Sequence, residues 1–582
     1  LMDIDNIQLF PSNLYKYFLP TSLADSCKEE LIKFAKNNHD KSGIQQYFTT
    51  YNTGLETVDS IGSSTKLISD NVLRVARIIA EDRVHIENSF FKQEEALNFL
   101  LKTKDFKALL KKINGVFTII KKSNHNTIVI TDITRSFPVF YTQTNNSWCI
   151  SDDIYALQKQ NPNVKFNKNA ELEFLASNHV HGKKTLLDGI YQTQSSEYIE
   201  FSSNKIKEQF FYFSYSTRKQ NNKPVLELKK TCFSAFENSF KRCLNSLRNN
   251  QIIVPLSSGL DSRLIAVFLK KHNYKNVLCY TYGKKDSFEI NYSKKTAETL
   301  NFSWIFIEYN DSIIRDFLKT KPFKKYIEYA GKLTSMPNLQ EYFAVQYLHE
   351  NNFVEKDAIF ISGYAGDILG GSEYKFYDNP LKNNKLSNII FRNKMSNFVF
   401  SDRDKNKTLQ DIEQNLVSFD SDYKQKIPET VLDNYNIKER IAKYIFNSAS
   451  FYTFFGYTTR FPFWDKELLC FFKELPIDYK RDKSFFDTVL NDYYFKAHNV
   501  NFDNNTEIKK NRFKQLKSIL KTFLPTFIKK KRLEKRDWNN YRIITLKMLA
   551  QLKERNLTVF RLYKDYNEII TQWYLYLVKN KL

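Results

Sequence analysis

Glycine is scarce in this chain: 14 in 582 residues, where an average protein carries ~7%. Proline is nearly as sparing, at 13, and the two counts exclude collagen-like and other fibrous architectures. Six cysteines (Cys27, Cys149, Cys232, Cys243, Cys279, Cys470) lie far apart with no CxxC pair. That pattern argues against both a disulfide framework and a zinc site, and suits a reducing cytosol. No run of about eighteen apolar residues occurs, so no segment reads as a membrane-spanning helix. The opening Leu1-Met2-Asp3-Ile4-Asp5 lacks the basic-then-apolar layout of a secretory signal. What is abundant is aromatic and basic. Fifty Phe and 35 Tyr supply too much apolar surface for a disordered chain, and the length predicts two or three domains. Lys and Arg exceed Asp and Glu by 88 to 64, a net +24. This invites a nucleic-acid or anionic-membrane partner, but an AT-rich genome writes the same Lys, Asn, Ile, Phe and Tyr. Charge alone decides nothing.

The few glycines are crowded. Ser257–Arg263, Thr281–Gly283 and Ser362–Ser372 hold six of the fourteen in 21 residues. Ordinary turns would have spread them among many loops; crowding points to positive φ or to close approach of a ligand. The flanks read as an open α/β sheet. Strands are expected at 252–256, 277–282, 304–309 and 358–362, with a helical face from Leu264 to Leu269 and a helix over 289–300. Alternating strands and helices predict parallel βαβ units, whose ligands sit beyond the carboxyl ends of the strands. Both glycine clusters fall there.

The loop Ser257-Ser258-Gly259-Leu260-Asp261-Ser262, between strand and helix, offers backbone N–H groups and hydroxyls to an anion. A plain helix cap by Asp261 or Ser262 is the simpler alternative. Asp261 would repel a bare phosphate, but it fits one bridged by Mg²⁺, a hard cation that takes carboxylate oxygens. No GxxxxGK[ST] occurs, so this is not a Walker loop. The segment resembles the SGGxDS loop of the PP-loop pyrophosphatases. Ser362-Gly363-Tyr364-Ala365-Gly366-Asp367-Ile368-Leu369-Gly370-Gly371, Thr281-Tyr282-Gly283, Glu289 and Arg460-Phe461-Pro462-Phe463-Trp464-Asp465 narrow the match. Together, over roughly Ile252 to Asp482, they resemble the synthetase domain of asparagine synthetases.

That resemblance implies ATP and Mg²⁺ as cofactors. It places Asp261 and Asp367 on the metal, Ser257, Ser258, Gly259, Ser262 and Gly363 around the pyrophosphate, and Tyr282 and Gly283 near the adenosine. A late lysine would act on the phosphates, with Lys483, Lys509 and Lys510 as candidates. Tyr364 stands where glutamine-dependent members carry Glu and resembles the tyrosine of β-lactam synthetases, which deprotonates the attacking amine together with a glutamate. A tyrosine of ordinary pKa ~10 needs such a partner; the sequence does not name it, and the unmatched stretch from Glu373 to Lys443 is where it could hide. Packing, or a bond to phosphate, is the alternative role for Tyr364. Three departures stand out: Ser258 for Gly, Ile368 for an acidic residue, and Trp464 for Leu. If position 258 requires positive φ, Ser costs about 1 kcal/mol there.

Upstream, Asn114-Gly115-Val116-Phe117, Asp132, Pro138-Val139-Phe140-Tyr141 and Trp148-Cys149-Ile150-Ser151-Asp152-Asp153 resemble, more weakly, the N-terminal glutaminase domain of the same enzymes. That reaction uses an N-terminal cysteine whose α-amine is the base; Asp3 follows Met2 here, so no glutaminase activity is expected. The predicted fold is α/β: an N-terminal Ntn-type layered α/β sandwich (1–215, degenerate glutaminase-like), a PP-loop doubly wound parallel-sheet synthetase domain (216–500), and a basic helical C-terminal extension (501–582).

The expected function is an ATP-dependent amide ligase that adenylates a carboxylate on a small molecule, glycan or peptide and couples it to an amine or ammonia. A non-catalytic scaffold and an RNA-modifying PP-loop enzyme are the rival readings; a nucleic-acid partner is disfavoured by the missing CxxC and by the glutaminase-like domain. Basic residues interleaved with apolar ones over 509–536 fit either a docked helix with a solvated face or an interfacial helix on an anionic membrane. The expected location is the cytoplasm, with that helix at the inner membrane face.

Overall fold

The computed structural model describes residues 103, 105–122, 126–144, 147–202, 204–247, 249–374, 385–481, 483–502, 526–555 and 565–580. It also gives the backbone of six strands between Tyr47 and Phe90.

The N-terminal part is a layered sandwich. One sheet runs in the order Tyr47–Thr50, Leu55–Asp59, Ser147–Ser151, Phe140–Thr144, Ile190–Gln192. The other is antiparallel: Ile206–Phe211, Glu197–Ser202, Asn126–Thr131, Thr118–Lys122, Val72–Ile78, Lys66–Asp70. The period-2 alternation of strand side chains decides which layer each residue fills. Ile120, Val129 and Ile199 pack between the sheets with Tyr141, Trp148 and Ile150. Their chain neighbours Ile119, Ile130 and Tyr198 point the other way, onto the helix Phe106–Lys112. On the far side, Phe140 and Cys149 face the helices Ile154–Gln160 and Lys168–Ser177. The layers therefore run helix, sheet, sheet, helix, as the sequence predicts.

The amphipathic helix Val225–Asn245, which buries Leu228, Cys232, Ala235, Phe236 and Phe240 along one stripe, leads into the second sheet. Its five parallel strands stand in the order Ser303–Glu308, Val277–Gly283, Ile252–Pro255, Ile359–Ile361, Thr458–Arg460. This is the doubly wound order. The direction of winding reverses between Ile252–Pro255 and Ile359–Ile361, and ligands of such sheets bind at that switch point. Both glycine clusters follow one of these two strands. Each predicted strand lies within about two residues of the observed one.

The described C-terminal helices, Thr526–Arg536, Tyr541–Glu554 and Asn567–Lys579, pack on the same core through residues such as Ile544, Met548, Ile570 and Trp573. In Thr526–Arg536, Leu533 turns inward while Lys530, Lys531, Arg532, Lys535 and Arg536 are exposed. The helix is docked, with a solvated basic face; residues 509–525 lie outside the described residues. Among the described residues, no helix is long and apolar enough to cross a membrane.

Candidate active site

A cavity of about 410 Å³ opens at the switch point, walled by Ser257, Gly259, Asp261 and Ser262 from one loop and by Gly363, Tyr364 and Asp367 from the other. Tyr282, Glu341, Lys483 and Trp538 complete it. Ser257, Gly259, Asp261, Ser262, Tyr282, Gly363, Tyr364, Asp367 and Lys483 are thus brought together as expected. Ser258 and Gly283 stand behind the wall, and Lys509 lies outside the described residues.

The first loop is tied by its own hydroxyls. Ser257 N donates to Ser262 Oγ at 3.1 Å, and Gly259 N to Ser257 Oγ at 3.1 Å. Ser258 N donates to the Glu289 carboxylate, and Arg263 holds Ser258 O at 3.0 Å. Ser258 does not adopt positive φ and Gly259 sits at φ −69°, so the substitution of Ser for Gly at 258 carries no backbone strain. The structure removes that condition.

Glycine matters most where the second loop meets the first. A Cβ on Gly363 would lie 2.9 Å from Asp261 Cβ, and one on Gly366 would lie 2.8 Å from Asp261 Cγ. No side chain fits at either position, and Asp367 N reaches Asp261 Oδ2 at 2.8 Å. Burial, and next the nearby Asp367 carboxylate, push Asp261 up to about 7, against the pull of Lys483. Two carboxylates forced together in a desolvated recess favour a cation between them, and their hard oxygens suit Mg²⁺. Lys483 lines the cavity, while Lys509 and Lys510 both lie outside the described residues. It enters at positive φ (63°) on the turn before the helix Ser484–Leu490 and lies 3.7 Å from Asp487.

The partner of Tyr364 is Glu341. Tyr364 OH lies 3.5 Å from Glu341 Oε2, while Tyr452 OH donates to Oε1 at 2.6 Å and Tyr280 OH also donates to Oε1. Burial pushes Glu341 up to about 7, opposed by these hydroxyl donors. Burial, and then the Glu341 charge, raise Tyr364 well above the ordinary range. Sequence reasoning looked to Glu373–Lys443 for this residue. Glu341 lies upstream of that stretch, at the start of the helix Tyr342–Glu350, and no local motif marks it. Trp464 also gains a role: its Nε1 donates to Tyr364 O at 2.9 Å and fixes the tyrosine's backbone. The rest of that motif clips the domain together, with Arg242 paired twice to Asp465 (2.8 and 2.6 Å) and Arg460 Nε on Ser246 Oγ at 2.7 Å.

Gly283, at φ +125°, lets the C-terminal turn approach: an added Cβ would meet Trp538 O at 2.6 Å. Lys284 N donates to that carbonyl at 2.9 Å, and Asn540 Nδ2 to Tyr309 O at 2.7 Å. Trp538 is thereby stapled to the ends of two strands as a wall of the cavity. No local motif marks it.

The family model "Asparagine synthase" matches residues 233–521. Over 220 residues the chain is 24% identical to the microcin J25-processing protein McjC of Escherichia coli, a match spanning 37% of this chain and 40% of McjC. Among solved structures, the NH3-dependent NAD synthetase of Campylobacter jejuni (14% identity, 36% of this chain and 96% of that one) has a TM-score of 0.17. The glutamine phosphoribosylpyrophosphate amidotransferase of B. subtilis (9%, 53% and 60%) also has 0.17. At such TM-scores the fold rests on the chain's own sheet order. Over residues 233–521 the chain is similar to the asparagine synthase family, a likeness that supports an ATP-dependent, amide-forming ligase of the PP-loop type.

Proposed function

We propose that the cavity is the active site of an ATP-dependent ligase that activates a carboxylate as its adenylate and joins it to an amine. The observation that carries this reading is the meeting of Asp261, Asp367 and Lys483 with the Tyr364–Glu341 pair around one space. A substrate carboxylate oxygen attacks the α-phosphorus of ATP, and pyrophosphate leaves. The amine then attacks the acyl carbon, AMP departs with the former carboxylate oxygen, and the amine's proton passes to Tyr364 and on to Glu341. Asp261 and Asp367 would hold Mg²⁺, which supplies charge neutralisation at the phosphates. The loop's hydroxyls and N–H groups bind and orient pyrophosphate, Lys483 offsets its charge, and positioning lowers the remaining barrier. Glu341, poised near neutrality, is suited to accept a proton.

A peptide is the favoured carboxylate, because McjC is by name a microcin-processing protein. Burial pushes the thiols of Cys243 and Cys279 up to about 12 and raises those of Cys232 and Cys470, so none of these four is a ready nucleophile. The test is ATP–[³²P]pyrophosphate exchange with Mg²⁺ against amino acids, acidic sugars and short peptides, with Asp367→Ala as control. Exchange that depends on one acid and is lost in the variant supports the reading. Absence of both exchange and calorimetric ATP binding overturns it.

A further inference from the structure

We propose that His179, His181 and Glu439 form a second metal site, for a divalent transition ion such as Zn²⁺, which staples the N-terminal sandwich to the synthetase unit. The cysteine pattern excludes only zinc sites built on cysteine; this one is built on nitrogen and oxygen.

His179-Val180-His181 is an H-x-H sequence in an extended segment, where His179 bridges to Ser335. Extended backbone puts residues i and i+2 on one face, and the two imidazoles lie side by side with centroids 4.5 Å apart. Each ring is oriented through one nitrogen. His179 Nδ1 donates to Ser177 O at 2.9 Å, which leaves the Nε2 lone pair without a hydrogen-bond partner although the residue is 1% exposed. His181 Nε2 meets Ser177 Oγ at 2.9 Å, and that hydroxyl is committed as a donor to backbone carbonyls. Nδ1 of His181 therefore carries the lone pair, which accepts from the Tyr435 hydroxyl at 2.9 Å and lies 3.8 Å from Glu439 Oε2, so a metal would take the place of that hydroxyl hydrogen. Metal-binding histidines are oriented through their second nitrogen in this way.

Glu439 comes from the other unit, on the π-helical segment Ile437–Ile445, a rare geometry that is frequent at functional sites. Gly182 N and Lys443 Nζ fix its carboxylate, at 2.8 and 2.7 Å. One ligand atom from each of the three residues lies within 4.8 Å of the others. Neighbouring ligands of tetrahedral zinc are ~3.3 Å apart. The His181–Glu439 pair is thus nearly in place, and His179 must swing inward by about 1.5 Å. With Glu439 ligating through Oε2, Lys443 keeps the carbonyls of Gly182 and Val180, at 2.5 and 3.4 Å. Three protein ligands leave a fourth position for a small ligand such as water, and all three residues are buried, which keeps bulk solvent from the site.

Zinc analysis of the full-length chain, purified after expression with added Zn²⁺, tests this. About one zinc per chain is expected, together with visible d–d absorption when Co²⁺ replaces it. His179→Phe, which keeps the ring stack, and Glu439→Gln, which keeps an acceptor for Gly182 N–H, should each lower bound metal at least ~10-fold while the far-ultraviolet circular dichroism is unchanged. Wild type with less than ~0.1 equivalent after exposure to both ions overturns the proposal, as does equal metal in wild type and both variants. Adenylation plays no part in this readout.

Discussion

Two aspartates, one in each half of the molecule, are used in opposite ways. Asp132 in the sandwich is buried and accepts four hydrogen bonds: from Phe117 N and Thr134 N at 2.8 Å, from Thr134 Oγ1 at 2.9 Å and from Ser136 N at 3.2 Å. Asp261 at the cavity wall accepts a single backbone donor and faces a second carboxylate. A carboxylate held by four donors has little capacity left for a ligand, and it works as a knot in the backbone. An undersaturated one beside a like charge is held at a cost that a bound cation removes. Chemistry is therefore expected at the cleft, where the fold leaves its charges incompletely paired.

The largest effect should come from breaking that contrast directly. Asp367→Asn is expected to lower pyrophosphate exchange by at least ~10³-fold, in the range of electrostatic catalysis, with the melting temperature nearly unchanged. Asp132→Asn should do the reverse, destabilising the fold by about 1–3 kcal/mol in denaturant melts through its unmatched donors. If Asp132→Asn abolished exchange without loss of stability, the contrast would be wrong.

Next, Tyr364→Phe and Glu341→Gln should each slow amide formation ~10²–10⁴-fold and leave exchange intact, since the proton transfer follows adenylation. The rate in wild type should climb through pH about 7 as Glu341 ionises, and Glu341→Gln should lose that limb. The same group affects folding. Its folded pKa lies above the ordinary value, so its contribution to stability is complete below about 4.5 and is lost as the pH rises through about 7. Melts across this window should show a decline that Glu341→Gln removes.

At the small end, replacing exposed Lys530, Lys531 and Arg532 with Glu should change stability by no more than about 0.5 kcal/mol each, read in denaturant melts, without altering exchange. Loss of exchange would instead tie this helix to the neighbouring Trp538 wall.

Much of the architecture could be read locally. The strand–loop–helix pattern around Ser257–Ser262, with its crowded glycines, places the cleft. Asp261, Asp367 and the loop serines were legible because a ligand-binding loop needs these residues at fixed short spacing. Glu341, the entry of Lys483 into the cavity and the wall at Trp538 were not, because no short-range rule governs them. Each reaches the cavity through long-range packing: the helix after Glu341 against the sheet, the turn at Lys483 against Asp261, and the C-terminal helices over Gly283. His179 and His181 sit two apart in the sequence, but Glu439 joins them only when the two units close. The sequence alone determined the local grammar of strands, loops and glycines, because neighbouring backbone dihedrals and side-chain alternation act over a few residues. Which distant charges share one desolvated space was decided only by the tertiary structure, because burial and proximity are properties of the packed chain.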